Sequence, residues 1–402
     1  MTTDTAVRQT QSATKRWLIL GGVLGAVTAL WYWQYFTRSE LGVMDWTKET
    51  FYFGALRDSL RHGHPPLRIA RTEEVMRWPA IAATDSYLAN PETMFLSPFL
   101  PLAVLPVEWF FRLYMAGSLV VAVIGSVSLT KALRWTPAAG GVLYALVFLN
   151  PWLVQHVVIG YTPWVTVTWL PLVAALVVRG RPVWAGVVWS LVVWAGGMHV
   201  FVWAMMAAVV VVAVLVVRRL PWWTLATATG CAVGFAAPRL VLIVAASGEL
   251  ADRVPSSSYS SVADLWGVLT DTASDPYAIP AAYDTFGVNL YDGLFYTGWW
   301  FWVVSAGAAV WLGRRSWPYV LAAVGFAVLG YGTVWKSLGG VFPFLGVQVY
   351  PWRFLCIGYV FAAIIVALGA ERAVRRGEGW LLLVLVPVMW GFYWRTQFFA
   401  AA

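Results

Sequence analysis

Hydrophobic positions fall in long, nearly unbroken blocks, and the polar positions between them are short breaks. Blocks lie near residues 17–36, 109–130, 137–157, 161–178, 183–197 and 199–217, then 221–246, 298–313, 317–333, 351–370 and 380–394. A helix needs roughly 20 apolar residues to cross about 30 Å of hydrocarbon. The pattern therefore predicts an all-α polytopic membrane protein of about 11 transmembrane helices, organised as a single membrane domain over 1–402. The polar stretch ahead of Trp17 leads directly into the first block, which reads as a retained span and not as a cleaved signal segment.

The breaks alternate in charge. Arg8, Lys15 and Arg16, Lys131 and Arg134, Arg179 and Arg181, Arg218 and Arg219, Arg314 and Arg315, and Arg372, Arg375 and Arg376 occupy every second break. Basic residues collect in the short cytoplasmic loops of membrane proteins. The expected topology is accordingly a multi-pass plasma (inner) membrane protein with a cytoplasmic N-terminus, and most acidic residues fall on the extracytoplasmic side.

Two extracytoplasmic segments are too long to be connectors, 37–108 and 247–297, and loops of such length are usually functional. In the first, FYFGALRDSLRHG places apolar residues at helical spacing beside charges, which predicts an interfacial helix. MFLSPFLPLAVLP is apolar but short and rich in proline, which predicts a re-entrant or interfacial piece.

Composition narrows the function classes. The chain is 60% hydrophobic and 11% charged, far below the roughly 25% charge of a soluble domain. Its 27 tryptophans sit largely beside charges and prolines at the ends of apolar blocks, the placement of an aromatic belt. The formal charge of +8 needs no nucleic-acid partner, because the same lysines and arginines set orientation in a bilayer. Cys231 and Cys356 lie inside apolar blocks without metal or redox spacing and read as packing residues.

Three arginines fall within or at the outer ends of apolar blocks: Arg112, Arg239 and Arg353. Charge near the membrane interior is expensive, and three guanidiniums at similar depth can ring a phosphate; snorkelling or pairing with a loop carboxylate such as Glu108 is the plainer role. Asp45, in LGVMDWTKETF, has apolar neighbours that would raise its pKa toward that of a general base, although a lone loop aspartate more often caps a helix or faces solvent. Asp85, Asn90 and Glu92 are spaced to hold a divalent cation or a sugar hydroxyl, or simply to form turns. His62 and His64 lack an identifiable third metal ligand, and His156 and His199 lie at outer ends of spans, where substrate contact and a buried hydrogen bond are both available. Aspartates and tyrosines interleave in the second loop, from Tyr259 and Asp264 to Asp292 and Tyr296, a mixture suited to carbohydrate and also ordinary in a solvated loop.

The order of several stretches resembles the YfhO-like branch of the membrane glycosyltransferases of the GT-C class. These are MDW, LRDSLRHGHPP, LANPETMFLSPFLPLAVLP, HVVIGYTPWVTVTWLPLVAAL, GGMH, LFYTGWWFW and VQVYPWRFL, which are distributed over most of 40–370. The chain departs from the family between LRHGHPP and LANPET, where relatives carry a compact glycine-rich turn and this sequence reads LRIARTEEVMRWPAIAATDSY.

The resemblance implies a GT-C-like fold and transfer of a sugar from a polyprenyl-phosphate donor to an extracytoplasmic acceptor. By the same likeness Asp45 takes the place of the base, and Arg353 lies near the donor phosphate. Arg239, Arg112, Asp85, Asn90, Glu92 and His199 complete the expected substrate-binding set, with a divalent cation as an optional cofactor. The competing expectation is a non-catalytic membrane subunit that binds a partner or lipid through the same loops.

Overall fold

The computed structural model describes residues 3–37, 46–63, 87–158, 160–217, 221–251, 261–270, 297–331, 334, 337 and 353–401. Asp45, Asp85, His64 and nearly all of the second large loop's aspartates and tyrosines lie outside the described residues. Among the described residues the chain is helical and holds no β-strand.

The helices of the described residues are, in chain order, α1 (Thr3–Trp31), α2 (Trp33–Thr37), α3 (Trp46–Arg61), α4 (Val107–Ala132), α5 (Pro137–Phe148), α6 (Pro151–Val158), α7 (Leu170–Val178) and α8 (Pro182–Trp194). They continue as α9 (Met198–Val217), α10 (Trp223–Ala251), α11 (Val262–Thr270), α12 (Trp299–Leu312), α13 (Trp317–Leu329), α14 (Phe354–Arg375) and α15 (Val386–Ala401). Short 3₁₀ segments occupy Leu100–Val104, Thr162–Trp169, Gly313–Arg315 and Gly379–Leu385.

Among the described residues four helices are long and apolar enough to cross a membrane: Val107–Ala132, Met198–Val216, Trp223–Ala246 and Leu355–Arg375. The other apolar blocks are helical too, but several are shorter or broken where the sequence read them as continuous. The block at 137–157 stops at Phe148 and restarts at Pro151, with the Asn150 side chain accepting from the Leu153 amide at 3.1 Å. The block at 161–178 is 3₁₀ in its first half. There the hydroxyls of Thr166 and Thr168 donate to the carbonyls of Pro163 and Val165, local bonds that compete with the α-helical ladder.

Packing explains the apolar excess. α8 lies along α10, α4 along α7, and α14 against α12, α13 and α5. Gly186 lets α8 approach α10 closely, for a Cβ there would stand 2.4 Å from the Cβ of Cys231, in keeping with a packing role for that cysteine. α14 is the central element and is mostly buried, whereas Val310, Leu30, Val209, Val241 and Leu321 project from the outer faces of other helices, 64% exposed or more. A soluble protein rarely exposes so many large aliphatic groups, and a hydrocarbon surround removes their cost.

α14 also fixes the two ends of the bundle. Its 22 residues rise about 33 Å, the thickness of a bilayer core, with Arg353 at its N-cap and Arg372 and Arg375 in its last turn. The Arg375 end gathers basic groups: Arg375 donates to the Arg134 carbonyl, Arg372 to that of Trp311, and Lys131 lies over the Trp17 ring. The basic clusters at Lys131/Arg134 and Arg372/Arg375 therefore meet at one end.

Candidate functional site

At the Arg353 end, segments distant in sequence converge on one buried carboxylate. α3 begins the site. Trp46, Glu49, Phe53 and Leu56 recur at helical spacing, and Lys48 and Tyr52 fall on the adjoining rows. All six are buried. Trp46 stacks on Tyr35 and meets the edge of Phe111, while Phe53 stacks on Phe110 at 4.4 Å, so the aromatic row glues α3 to α4. That packing carries Lys48 and Glu49 out of solvent with it.

Lys48 Nζ lies 2.7 Å from Glu92 Oε2 and 3.8 Å from Glu49 Oε1. The Tyr161 hydroxyl donates to Glu92 Oε1 at 2.5 Å, and the Thr162 hydroxyl donates to Glu49 Oε2 at 2.6 Å. Burial alone would raise the Glu92 pKa, but the charge of Lys48, the nearby His199 and the bonds from Lys48 and Tyr161 outweigh it, holding the carboxyl at about 2. Tyr161 is itself shared: Lys48 Nζ stands 4.4 Å from its ring centroid and the Arg353 guanidinium 5.5 Å, with Trp164 at 5.6 Å from the same guanidinium.

The turn that carries Glu92 is built by its own polar groups. Asn90 Oδ1 accepts from the Glu92 amide at 3.0 Å, and its Nδ2 donates to the Tyr52 hydroxyl at 2.7 Å. The Thr93 hydroxyl donates to the Tyr87 carbonyl at 2.6 Å, and the Tyr87 hydroxyl to that of Met94 at 2.9 Å. Burial pushes the Tyr52 and Tyr87 hydroxyls well above the ordinary tyrosine range, so both remain neutral hydrogen-bonding groups.

Arg239, fully buried, fastens this turn to the bundle. Its Nη1 donates to the carbonyls of Val193 and Trp194, which end α8, and its Nη2 donates to the carbonyls of Asn90 and Thr93. The terminal carbonyls of a helix lack intrahelical partners, and a cation there also meets the negative end of the dipole. The neighbouring Gly196 has φ +91° and ends α8 in a Schellman turn, Gly197 N to the Val192 carbonyl and Gly196 N to that of Val193. A Cβ on Gly196 would stand 2.4 Å from the Glu92 carbonyl oxygen, so glycine is required by conformation and by contact.

The structure thus brings Asn90, Glu92, Arg239, His199 and Arg353 of the expected set into one region. Asn90 makes the bonds of the turn, and Glu92 those of the turn and of the ion pair with Lys48. Arg239 clamps backbone; the phosphate role expected for it meets a guanidinium already occupied by protein oxygens. Arg112 is half-buried with its guanidinium 5.7 Å from the Trp109 ring centroid, on the helix face that also reaches Tyr35. His156 is buried in a ring cage of Trp152, Tyr161 and Trp164, with Nδ1 2.8 Å from the Trp152 carbonyl. His62 is exposed beside Asp58, its i−4 neighbour, at 3.5 Å.

Lys48, Glu49, Tyr161 and Thr162 are site residues that sequence reasoning missed. A signal existed for the first two: they fall on the buried rows of an otherwise regular amphipathic helix, and a charge there needs a partner. Among the described residues no group of three His, Cys, Asp or Glu side chains is placed to hold a metal ion. The chain gives no match in a scan of protein-family models and none in a search of the curated proteins.

Proposed function

We propose that the chain is a membrane glycosyltransferase of GT-C type that moves a sugar from a polyprenyl-phosphate donor to an extracytoplasmic acceptor, in a fold of about 11 spans with a cytoplasmic N-terminus. One observation carries the reading. Four of the stretches by which the sequence resembles that class, and the helix that begins at Trp46 of MDW, meet around Tyr161: that helix through Lys48, LANPETMF through Asn90 and Glu92, HVVIGYTPW through Tyr161, GGMH through Gly196 and His199, and YPWRFL through Arg353. Separate segments that assemble one polar, aromatic-lined centre at the end of an apolar bundle are what a lipid-linked substrate demands.

In this reading Arg353 is the group that meets the donor phosphate. Lys48 pairs with Glu92, and Arg353 sits on the faces of Tyr161 and Trp164 at the head of the central helix. A guanidinium oriented by rings is preorganised for a departing phosphate, whose stabilisation is the larger share of the catalysis. Asp45, the residue preceding Trp46, takes the acceptor hydroxyl's proton; such a base contributes about 10²- to 10⁴-fold.

The test is donor binding and turnover by the purified full chain in nanodiscs, offered a panel of radiolabelled polyprenyl-phosphate sugars. The expected result is that one donor binds, Arg353→Ala loses it with Arg353→Lys partly restoring it, and Asp45→Asn binds but does not transfer. Absence of donor binding in the panel, with Asp45→Asn and Arg353→Lys folding and behaving in cells as the unaltered chain does, would overturn the reading in favour of a non-catalytic subunit.

A further inference from the structure

The opposite end of the central helix carries a second arrangement that the transferase reading does not use. Arg372 and Arg376, one turn apart, both lie over the ring of Trp311, at 4.9 and 6.0 Å from its centroid, and Arg372 donates to the Trp311 carbonyl. Arg314 and Arg315 follow Trp311 closely, in the exposed 3₁₀ turn that leaves α12. Four arginines therefore stand at one corner, where the C-terminal ends of α12 and α14 meet.

The carboxylates nearby do not balance them. Glu371 is occupied by Arg375 and by the amide and hydroxyl of Thr136. Glu378, half-buried in the turn after α14, is the other acidic group of this corner, and among the described residues no ion pair joins it or any other carboxylate to Arg314, Arg315, Arg372 or Arg376. Trp317 and Trp380 project beside the corner, 58% and 68% exposed. Exposed tryptophans mark the depth of lipid headgroups, and basic pockets between helices at that depth take acidic headgroups.

We infer that this corner seats the phosphate of an anionic phospholipid. The charge is complementary, the guanidinium fork matches phosphate oxygens, and the Trp311 ring holds two of the forks in place before the lipid arrives. The bound lipid would tie α12 to α14 at the end remote from Tyr161. The inference rests on the membrane reading alone and is independent of any transfer activity.

The test is lipid retention by the purified full chain, measured by native mass spectrometry after exchange into detergent containing phosphatidylglycerol or phosphatidylcholine. Phosphatidylglycerol is expected to be retained preferentially, with retention falling about fivefold for each arginine removed in Arg376→Gln and Arg314→Gln/Arg315→Gln, and unchanged in Arg181→Gln. These variants spare Arg372 and its bond to Trp311, so folding is kept, and thermal unfolding verifies it. Equal retention of phosphatidylcholine, equal weakening by Arg181→Gln, or displacement of the lipid by millimolar inorganic phosphate would overturn the inference, the last identifying a free-anion site.

Discussion

Arg239 Nη2 donates to both the carbonyl and the hydroxyl oxygen of Thr93, a residue 146 positions earlier in the chain. With the carbonyls of Asn90, Val193 and Trp194 it completes a set that only a planar, many-donor side chain can serve at once. Arg239→Lys keeps the charge and loses most of the bonds that tie the Asn90–Thr93 turn to the end of α8. The expected result is a loss of stability on the order of 3 kcal/mol, read as a lower midpoint in thermal unfolding of the detergent-solubilised chain. A variant as stable as the unaltered protein would show that the clamp is dispensable.

Glu92 gives the turn a pH dependence of definite sign. Its folded pKa of about 2 lies below the ordinary 4.5, so the carboxylate contributes stability that is fully present above about pH 4.5 and is lost as pH falls toward 2. The contribution is on the order of 3 kcal/mol. Unfolding midpoints followed downward from neutral pH should fall across that window in the unaltered chain and less steeply in Glu92→Gln. Glu92→Gln should also be weaker at neutral pH, because the buried Lys48 loses the carboxylate that stands 2.7 Å from it. Parallel curves for the two proteins would remove Glu92 as the titrating group.

The helices were legible because burial in hydrocarbon writes itself as uninterrupted apolar sequence, and α4, α9, α10 and α14 match their blocks within a few residues. The breaks were less so. Pro151 and Pro163 sit at helix starts, where proline is tolerated, and hydropathy alone does not register a restart. Within the site, Asn90, Glu92, Arg239 and Arg353 stood out as costly polar groups near apolar blocks. Their partners did not, because which hydroxyl meets which carboxylate is decided by tertiary packing: Tyr161 and Glu92 are 69 residues apart, Thr162 and Glu49 113. Arg239 was legible as exceptional, but its backbone partners were not, since sequence gives the charge of a side chain and not the carbonyls it will find.

Gly196 and Gly180 form a matched pair for separating backbone strain from steric crowding. Both have positive φ, +91° and +69°, but a Cβ at Gly196 would press on the Glu92 carbonyl oxygen at 2.4 Å whereas at Gly180 it would meet nothing within 4 Å. Gly180→Ala should cost about 1–2 kcal/mol, the left-handed penalty alone. Gly196→Ala adds displacement of the Glu92 turn, so its destabilisation should exceed that of Gly180→Ala and should be accompanied by loss of any donor binding. Equal effects in thermal unfolding would mean that the turn yields without consequence.

Tyr161 joins the two halves of the site, since its hydroxyl serves Glu92 and its ring serves Lys48 and Arg353. Substitution can divide these duties. Tyr161→Phe removes one hydrogen bond to a charged acceptor, worth roughly 1.5–3 kcal/mol, and keeps the ring under both cations. Tyr161→Leu takes away the ring as well, and each of the two cation–π interactions contributes about 0.5–2 kcal/mol. The expected order of stability is therefore the unaltered chain, then phenylalanine, then leucine. If the ring orients Arg353 for phosphate, donor affinity should survive in Tyr161→Phe and fall in Tyr161→Leu. Equal donor affinity in the two variants would assign the ring to packing and leave the orientation of Arg353 to Trp164.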